Sequence, residues 1–98
     1  MKVLWTEAAI RQLQNIHDFI AQTSSEYALR TVDRLTQRSI QIAAFPRSGP
    51  TVPEYELDDV RQIVEGSYRI IYLINEALDG IEILAVVHTA RERLDLIE

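Results

Sequence analysis

The sequence has no cysteine, and Lys2 is the only lysine among its 10 basic residues. Without cysteine the chain forms no disulfide and offers no thiolate to a metal. Its two histidines, His17 and His88, lie too far apart in sequence for a zinc-type H-x-x-x-H pair. The 3 glycines are too few for a loop that cradles phosphate groups. We therefore expect neither a metal nor a cofactor.

Long apolar runs are also absent, since no stretch reaches the roughly 18 residues that cross a bilayer. The chain turns polar at Thr6 and Glu7, too early for a secretory signal peptide. Its 98 residues are 47% hydrophobic, which is enough for one domain with a real core. We expect a single cytoplasmic domain over residues 1–98, with no association with membranes.

The charge balance is acidic, with 15 acidic residues against 10 basic ones and a net charge of −5. This disfavours non-specific binding to phosphate backbones, which needs clustered cations, although one local patch of arginines stays compatible with it. Arg30, Arg34 and Arg38 repeat at helical spacing, and we interpret them as a solvated helix face. The most acidic stretch is either a solvated loop or a site for a partner's cations, and it contains Glu54, Glu56, Asp58 and Asp59.

The first half of the chain shows helical periodicity. Residues 3–5 form a short apolar run that predicts an edge strand. After Thr6, a predicted N-cap, apolar residues recur every three or four positions, as on one face of a helix. A second amphipathic helix begins at Ser24 or Ser25 and ends before Pro46, which disfavours helical geometry in the residue preceding it. Two such helices in succession predict an antiparallel hairpin.

The second half is rich in β-forming residues. Residues 60–65, 68–75 and 81–88 are predicted strands, and Gly66–Ser67 is a good two-residue hairpin turn. The segment 89–92 (TARE) fits a capping box and predicts a short C-terminal helix. The expected fold is α+β, with an N-terminal edge strand and an antiparallel helical hairpin packed on an antiparallel β-sheet.

Charged groups inside these strands are the candidates for function. With the turn at Gly66, Arg69 and Arg61 point to opposite faces of the sheet. A charge in a central strand must be solvated, paired or directed at a site, so Arg69 is either functional or a salt-bridge partner of Glu65 or Glu82. Judged from the residues alone, the structural role is favoured.

Several segments resemble the RelE/ParE superfamily of bacterial type II toxins, and its ParE-like branch most of all. They are residues 4–9 (LWTEAA), 43–49 (AAFPRSG), 66–72 (GSYRIIY) and 83–91 (ILAVVHTAR). The resemblance covers essentially the whole chain and agrees with the predicted βααβββ order. It implies a growth-inhibiting toxin that assembles with, and is neutralised by, a cognate antitoxin.

The resemblance implies two mechanisms. RelE-like members cut mRNA in the ribosomal A site without a metal, whereas ParE-like members poison DNA gyrase. RelE-like nucleases use lysines on an early strand of the sheet, two arginines and a C-terminal tyrosine for charge stabilisation and proton transfer. Arg69 and Arg91 match the arginines, but the lysine positions fall near residues 53–59, which contain no lysine, and the tyrosine position falls at Ile97.

The absent lysines and tyrosine, together with the acidic charge, favour a gyrase-directed toxin. Two alternatives stay open: a ribosome-dependent endoribonuclease that uses Arg69, Arg91 and His88 (with Glu54 as another possible base), and a non-toxic homologue that only binds an antitoxin. We predict a target-binding surface made of Arg61, Arg69, His88, Arg91 and Arg93. We further predict that basic residues of the antitoxin contact Glu54, Glu56, Asp58 and Asp59.

Overall fold

The computed structural model describes residues 1–90. Its elements are strand β1 (Lys2–Trp5), helices α1 (Glu7–Ala21) and α2 (Ser25–Ala44), and strands β2 (Val60–Glu65), β3 (Tyr68–Asn75) and β4 (Gly80–His88), with a 3-10 turn at Glu76–Leu78. The predicted order of strand, two helices and three strands is confirmed, while the predicted C-terminal helix lies outside the described residues. None of the helices described is long and apolar enough to cross a membrane.

Side-chain caps fix where the two helices begin. The Thr6 hydroxyl oxygen accepts a hydrogen bond from the Ala9 N–H at 3.2 Å, and Ser24, not Ser25, accepts one from the Tyr27 N–H at 3.1 Å. These contacts satisfy N–H groups that the first helical turn leaves without partners. At the other end α2 stops at Ala44, just ahead of Pro46 as predicted.

The sheet has the strand order β1-β4-β3-β2, so β1 is an edge strand and β3 is central, as predicted. The prediction of an antiparallel sheet holds for β2, β3 and β4, but β1 runs parallel to β4 and the sheet is mixed. The physical reason is the helical hairpin. Helix α2 is longer than α1, and its C-terminal end shares a hollow with Met1 at the start of β1. Strand β2 therefore starts at the end of the sheet where β1 starts, and β2 and β4 run in the direction of β1.

The β2–β3 hairpin has the predicted register. Gly66 takes a φ of 58° in the turn, a conformation that glycine adopts without steric cost. Arg69 lies opposite Val64 and Arg61 lies opposite Tyr72. Because these pairs have opposite parity, the two arginines belong to opposite faces of the sheet.

Both faces of the sheet are buried. Between the sheet and the helices lies the larger apolar cluster, which includes Leu35, Ile70, Tyr72 and Ile83. On the other side, called here the outer face, a second cluster is built from Val52, Val60, Ile71, Ala85 and Val87. A β-bulge in β4 leaves Leu84 unpaired, since Ile71 lies opposite Ala85 while Tyr72 lies opposite Ile83.

The loop between α2 and β2, residues 45–59, covers the outer face. Val52 is fully buried in the outer cluster, and Tyr55 packs against it. The loop also pairs with the first half of β2, where the Gln62 N–H donates to the Pro50 carbonyl at 3.0 Å and the Val52 N–H donates to the Val60 carbonyl at 3.2 Å. The loop thereby adds backbone hydrogen bonds to the edge of β2.

Candidate functional site

Arg69 lies on the outer face and is held there by side chains of the same chain. Its Nε donates to Gln62 Oε1 at 2.8 Å, and its Nη2 donates to the same oxygen. Glu54 Oε2 lies 3.8 Å from Nη2 and supplies the opposite charge. The partner is therefore Glu54 from the loop, and the predicted partners Glu65 and Glu82 are wrong. Only 14% of the Arg69 side chain is exposed, so little of this cation faces solvent.

His88 lies at the end of β4, opposite Tyr68. The two rings meet edge to face with their centroids 5.5 Å apart. His88 Nδ1 accepts a hydrogen bond from the Ala90 N–H at 3.1 Å, which leaves Nε2 as the donor of the neutral imidazole. His88 is exposed.

These two candidates do not converge. Tyr68 and His88 form one cross-strand pair, and Arg69 and Val87 form the next. Adjacent pairs project to opposite faces of a sheet, so His88 lies on the helix side and Arg69 on the outer side. Arg91 and Arg93 lie outside the described residues.

Arg61 ties the loop to β2. Its Nε donates to the Asp58 carbonyl at 2.8 Å, its Nη1 to the Gly49 carbonyl at 3.0 Å, and its Nη2 to Asp58 Oδ1 at 3.1 Å. The side chain is only 14% exposed. These contacts make Arg61 a structural clamp, and they leave it few donors for a target.

Arg47 is a junction that the sequence analysis did not single out. Its guanidinium contacts Asp58 and Asp59, each at 3.1 Å, and Glu76 at 3.5 Å. The hydrogen bond with Asp59 is the main cause that raises the pKa of Arg47 above its usual value. A single exposed arginine thus joins the end of α2 to the acidic segment and to the turn before β4.

The four acidic residues predicted to bind an antitoxin therefore differ in whether they already form an ion pair within the chain. Glu54 pairs with Arg69, Asp58 with Arg47 and Arg61, and Asp59 with Arg47. Among the described residues only Glu56 of this acidic set makes no ion pair. It takes a left-handed backbone conformation with a φ of 52°.

The arginine stripe of α2 is not uniform. Arg30 pairs with Glu26 on the same helix. Arg38 donates from Nη1 to Gln41 Oε1 at 2.7 Å, and its Nε lies 3.7 Å from Glu65. That Nε is buried and makes no hydrogen bond within the described part of the chain. Arg34 is exposed and has no ion pair or hydrogen bond among residues 1–90.

Nothing in residues 1–90 groups histidine and carboxylate side chains closely enough to hold a metal ion. Gln62 holds Arg69, and the predicted register of β2 against β3 was sufficient to identify it. It lies two positions from Val64, diagonally across from Arg69 on the same face. Arg47 and Glu54 gave no such signal, because the loop that carries them has no periodicity.

The comparisons with known proteins agree with this architecture. The family model of the ParE toxin of type II toxin–antitoxin systems, parDE, matches residues 3–93. The chain belongs to the ParE toxin family. This confirms the resemblance seen in the sequence, and it extends over almost the entire length of the chain.

Solved structures share the fold of this ParE-family chain. One is the chromosomal ParDE system from P. aeruginosa, with a TM-score of 0.71, 21% identity, and coverage of 90% of this chain and 95% of that chain. Another is the toxin–antitoxin complex RelBE2 from Mycobacterium tuberculosis, with a TM-score of 0.68, 22% identity, and coverage of 89% and 95%. Among curated proteins no match was found.

Proposed function

We propose that this ParE-family toxin inhibits growth by contacting DNA gyrase through a protein surface and that a cognate antitoxin neutralises it. The observation that carries the choice of target is the arrangement around Arg69. A metal-independent ribonuclease needs cations at the scissile phosphate and a base and an acid within reach of the reacting oxygens. The described residues do not assemble such a set.

Three features support this reading. Arg69 is turned to the outer face and engaged by Gln62 and Glu54. His88 belongs to the other face of the sheet. Residues 53–59, where the RelE-like lysines were expected, contain no lysine. A net charge of −5 further disfavours a binding site made of RNA.

An antitoxin partner is supported by the structures that share this fold, since both come from toxin–antitoxin systems. The helical hairpin also exposes large apolar side chains to solvent: Phe19 is 73% exposed, Leu29 59% and Ile40 61%. We propose that a helix or an extended segment of the partner covers part of this apolar surface. The resulting assembly is a hetero-oligomer of toxin and antitoxin.

The target is tested with purified gyrase. We expect micromolar concentrations of the chain to inhibit supercoiling of plasmid DNA and to accumulate cleavage complexes. Arg93→Ala, in the proposed target-binding surface, should weaken this effect, whereas Arg11→Ala on the exposed side of α1 should not. No effect on gyrase from protein with a native circular dichroism spectrum would remove this target.

A ribosome-dependent ribonuclease is the second candidate, because the fold is shared with a RelBE complex. Primer extension on mRNA from induced cells distinguishes it. Cuts at fixed codon positions that disappear in Arg69→Ala would establish the nuclease, while intact mRNA during growth arrest would exclude it. Undisturbed growth after induction would instead identify a homologue that binds an antitoxin without toxicity.

A further inference from the structure

A small hollow lies between α2 and the turn of the β2–β3 hairpin. Its volume is about 70 Å³, and its lining includes Tyr27 and Arg34 from α2, Tyr68 from β3, and Glu65 and Gly66 at the turn. Tyr27 is 51% exposed, and Arg34 is exposed as well. A partner can therefore reach the hollow from the side of α2.

The polar groups around this hollow keep unused hydrogen-bonding capacity. Within residues 1–90 the hydroxyls of Tyr27 and Tyr68 make no hydrogen bond, and Arg34 makes neither a hydrogen bond nor an ion pair. Burial is the main cause that raises the pKa of Tyr68, and the neighbouring Tyr27 raises it further, so this hydroxyl remains a protonated donor. The one carboxylate in the lining, Glu65, has Arg38 as its counter-ion at 3.7 Å. The charge left over at the hollow is therefore the positive charge of Arg34.

His88 extends this surface on the helix side of the sheet. It lies opposite Tyr68 in the β3–β4 pairing, its ring contacts the Tyr68 ring, and it is exposed. Arg61 and Arg69, in contrast, are each only 14% exposed and are bonded within the chain. Of the predicted target-binding residues that the structure describes, His88 is thus the exposed one, and it lies next to the hollow.

We propose that an acidic segment of gyrase binds the hairpin-end surface, formed by Tyr27, Arg34, Tyr68 and His88. The inference rests on the proposed function, because gyrase is the partner it names. A carboxylate of the segment pairs with the free guanidinium of Arg34, and the two tyrosine hydroxyls are further donors at the same hollow. Tyrosine and arginine are also the residue types that most often carry the binding energy of protein interfaces.

Binding of the chain to purified gyrase subunits without DNA tests this surface. Tyr27→Ala removes a half-exposed ring and Arg34→Glu reverses the free charge, and each should weaken the affinity at least about tenfold. The concentration that half-inhibits supercoiling should rise by the same factor. The loss in Arg34→Glu should be smaller at high salt, because ions screen exposed charges. Arg34→Lys keeps the positive charge and should retain more of the affinity than Arg34→Glu.

Arg11→Glu is the matched control for the charge reversal. Arg11 is an arginine of α1 with a side chain that is 67% exposed, and it lies outside the lining of the hollow. Its reversal changes the net charge of the chain by the same amount and should leave the affinity for gyrase unchanged. Thermal unfolding followed by circular dichroism shows that each variant is folded, which we expect because Tyr27 and Arg34 are exposed.

The outcomes separate the surface from the choice of target. Gyrase binding that is unchanged in both Tyr27→Ala and Arg34→Glu overturns the surface but leaves gyrase as the target. An equal loss in Arg11→Glu also overturns it, since any loss of positive charge would then be sufficient. Binding that appears only with DNA would identify nucleic acid as the occupant and overturn it as well. Folded wild-type chain that neither binds gyrase nor inhibits supercoiling removes both the surface and the target.

Discussion

The hydroxyl of Tyr72 offers a sharp test of how the covering loop is held. Tyr72 is fully buried at the centre of the sheet, and its hydroxyl donates to the Pro46 carbonyl at 2.6 Å. In Tyr72→Phe the ring still fills its space, but the carbonyl loses its donor. A hydrogen bond lost in this way costs about 1–2 kcal/mol. For a domain of this size, each kcal/mol lowers the midpoint of thermal unfolding by about 4–8 °C.

The pH dependence gives the same test a second readout. Burial raises the pKa of the Tyr72 hydroxyl above its ordinary value of 10.0. In the unfolded chain the group loses its proton near pH 10, whereas the folded chain still retains it. The wild-type contribution is therefore complete below pH 10 and declines as the pH rises toward the folded pKa. The stability difference between wild type and Tyr72→Phe should be constant up to about pH 9 and shrink above pH 10.

Urea unfolding at several pH values measures both effects. Tyr55→Phe is the matched control, because Tyr55 also packs in this loop but its hydroxyl makes no hydrogen bond among the described residues. We expect this control to change the unfolding free energy by less than about 0.5 kcal/mol. A loss below this limit in Tyr72→Phe would show that the hydroxyl does not anchor the start of the loop at Pro46, and the reasoning would fail.

Other substitutions probe separate contacts. Gly49→Ala should destabilise the fold by more than about 1 kcal/mol, because its new Cβ would lie 2.8 Å from the Tyr72 hydroxyl oxygen, and thermal unfolding measures this. Gln12→Met should cost about 1–3 kcal/mol in urea unfolding, since Gln12 Oε1 accepts from the part-buried Val86 N–H at 2.8 Å, and Gln12→Glu, which keeps an acceptor, should cost less. Thr6→Ala removes both the N-cap of α1 and a 2.8 Å hydrogen bond to β4, so circular dichroism melts should show at least about 1 kcal/mol lost.

The elements with short-range signals were predictable from the sequence. Helix periodicity with Thr6 and a serine as caps gave both helices, and the Gly66 turn gave the pairing of β2 with β3 residue by residue. The direction of β1 was not predictable in this way, because it depends on where α2 ends relative to the start of β1, and helix periodicity does not fix that position.

Contacts between residues that lie far apart along the chain could not be predicted from the sequence. Glu54 meets Arg69, and Arg47 meets Glu76, across an irregular loop with no repeating pattern. The bulge at Leu84 was also hidden, because β4 is apolar on both faces and its alternation therefore carries no register. The positions of arginines in strands could be found, but whether each was free or already paired depended on that loop.

The pairing of the arginines also explains why the overall charge is a poor guide to partners. Arg47, Arg61 and Arg69 pair with Asp59, Asp58 and Glu54 of the acidic segment and so fix the loop. Because these opposite charges cancel locally, they act on stability more than on recognition. What a partner meets depends on the charges left over, and among the arginines of α2 only Arg34 makes no ion pair within residues 1–90. Gln62 also fixes an arginine, Arg69, within the chain. It holds Arg69 against the outer face, and this contact is the observation behind the protein target proposed above.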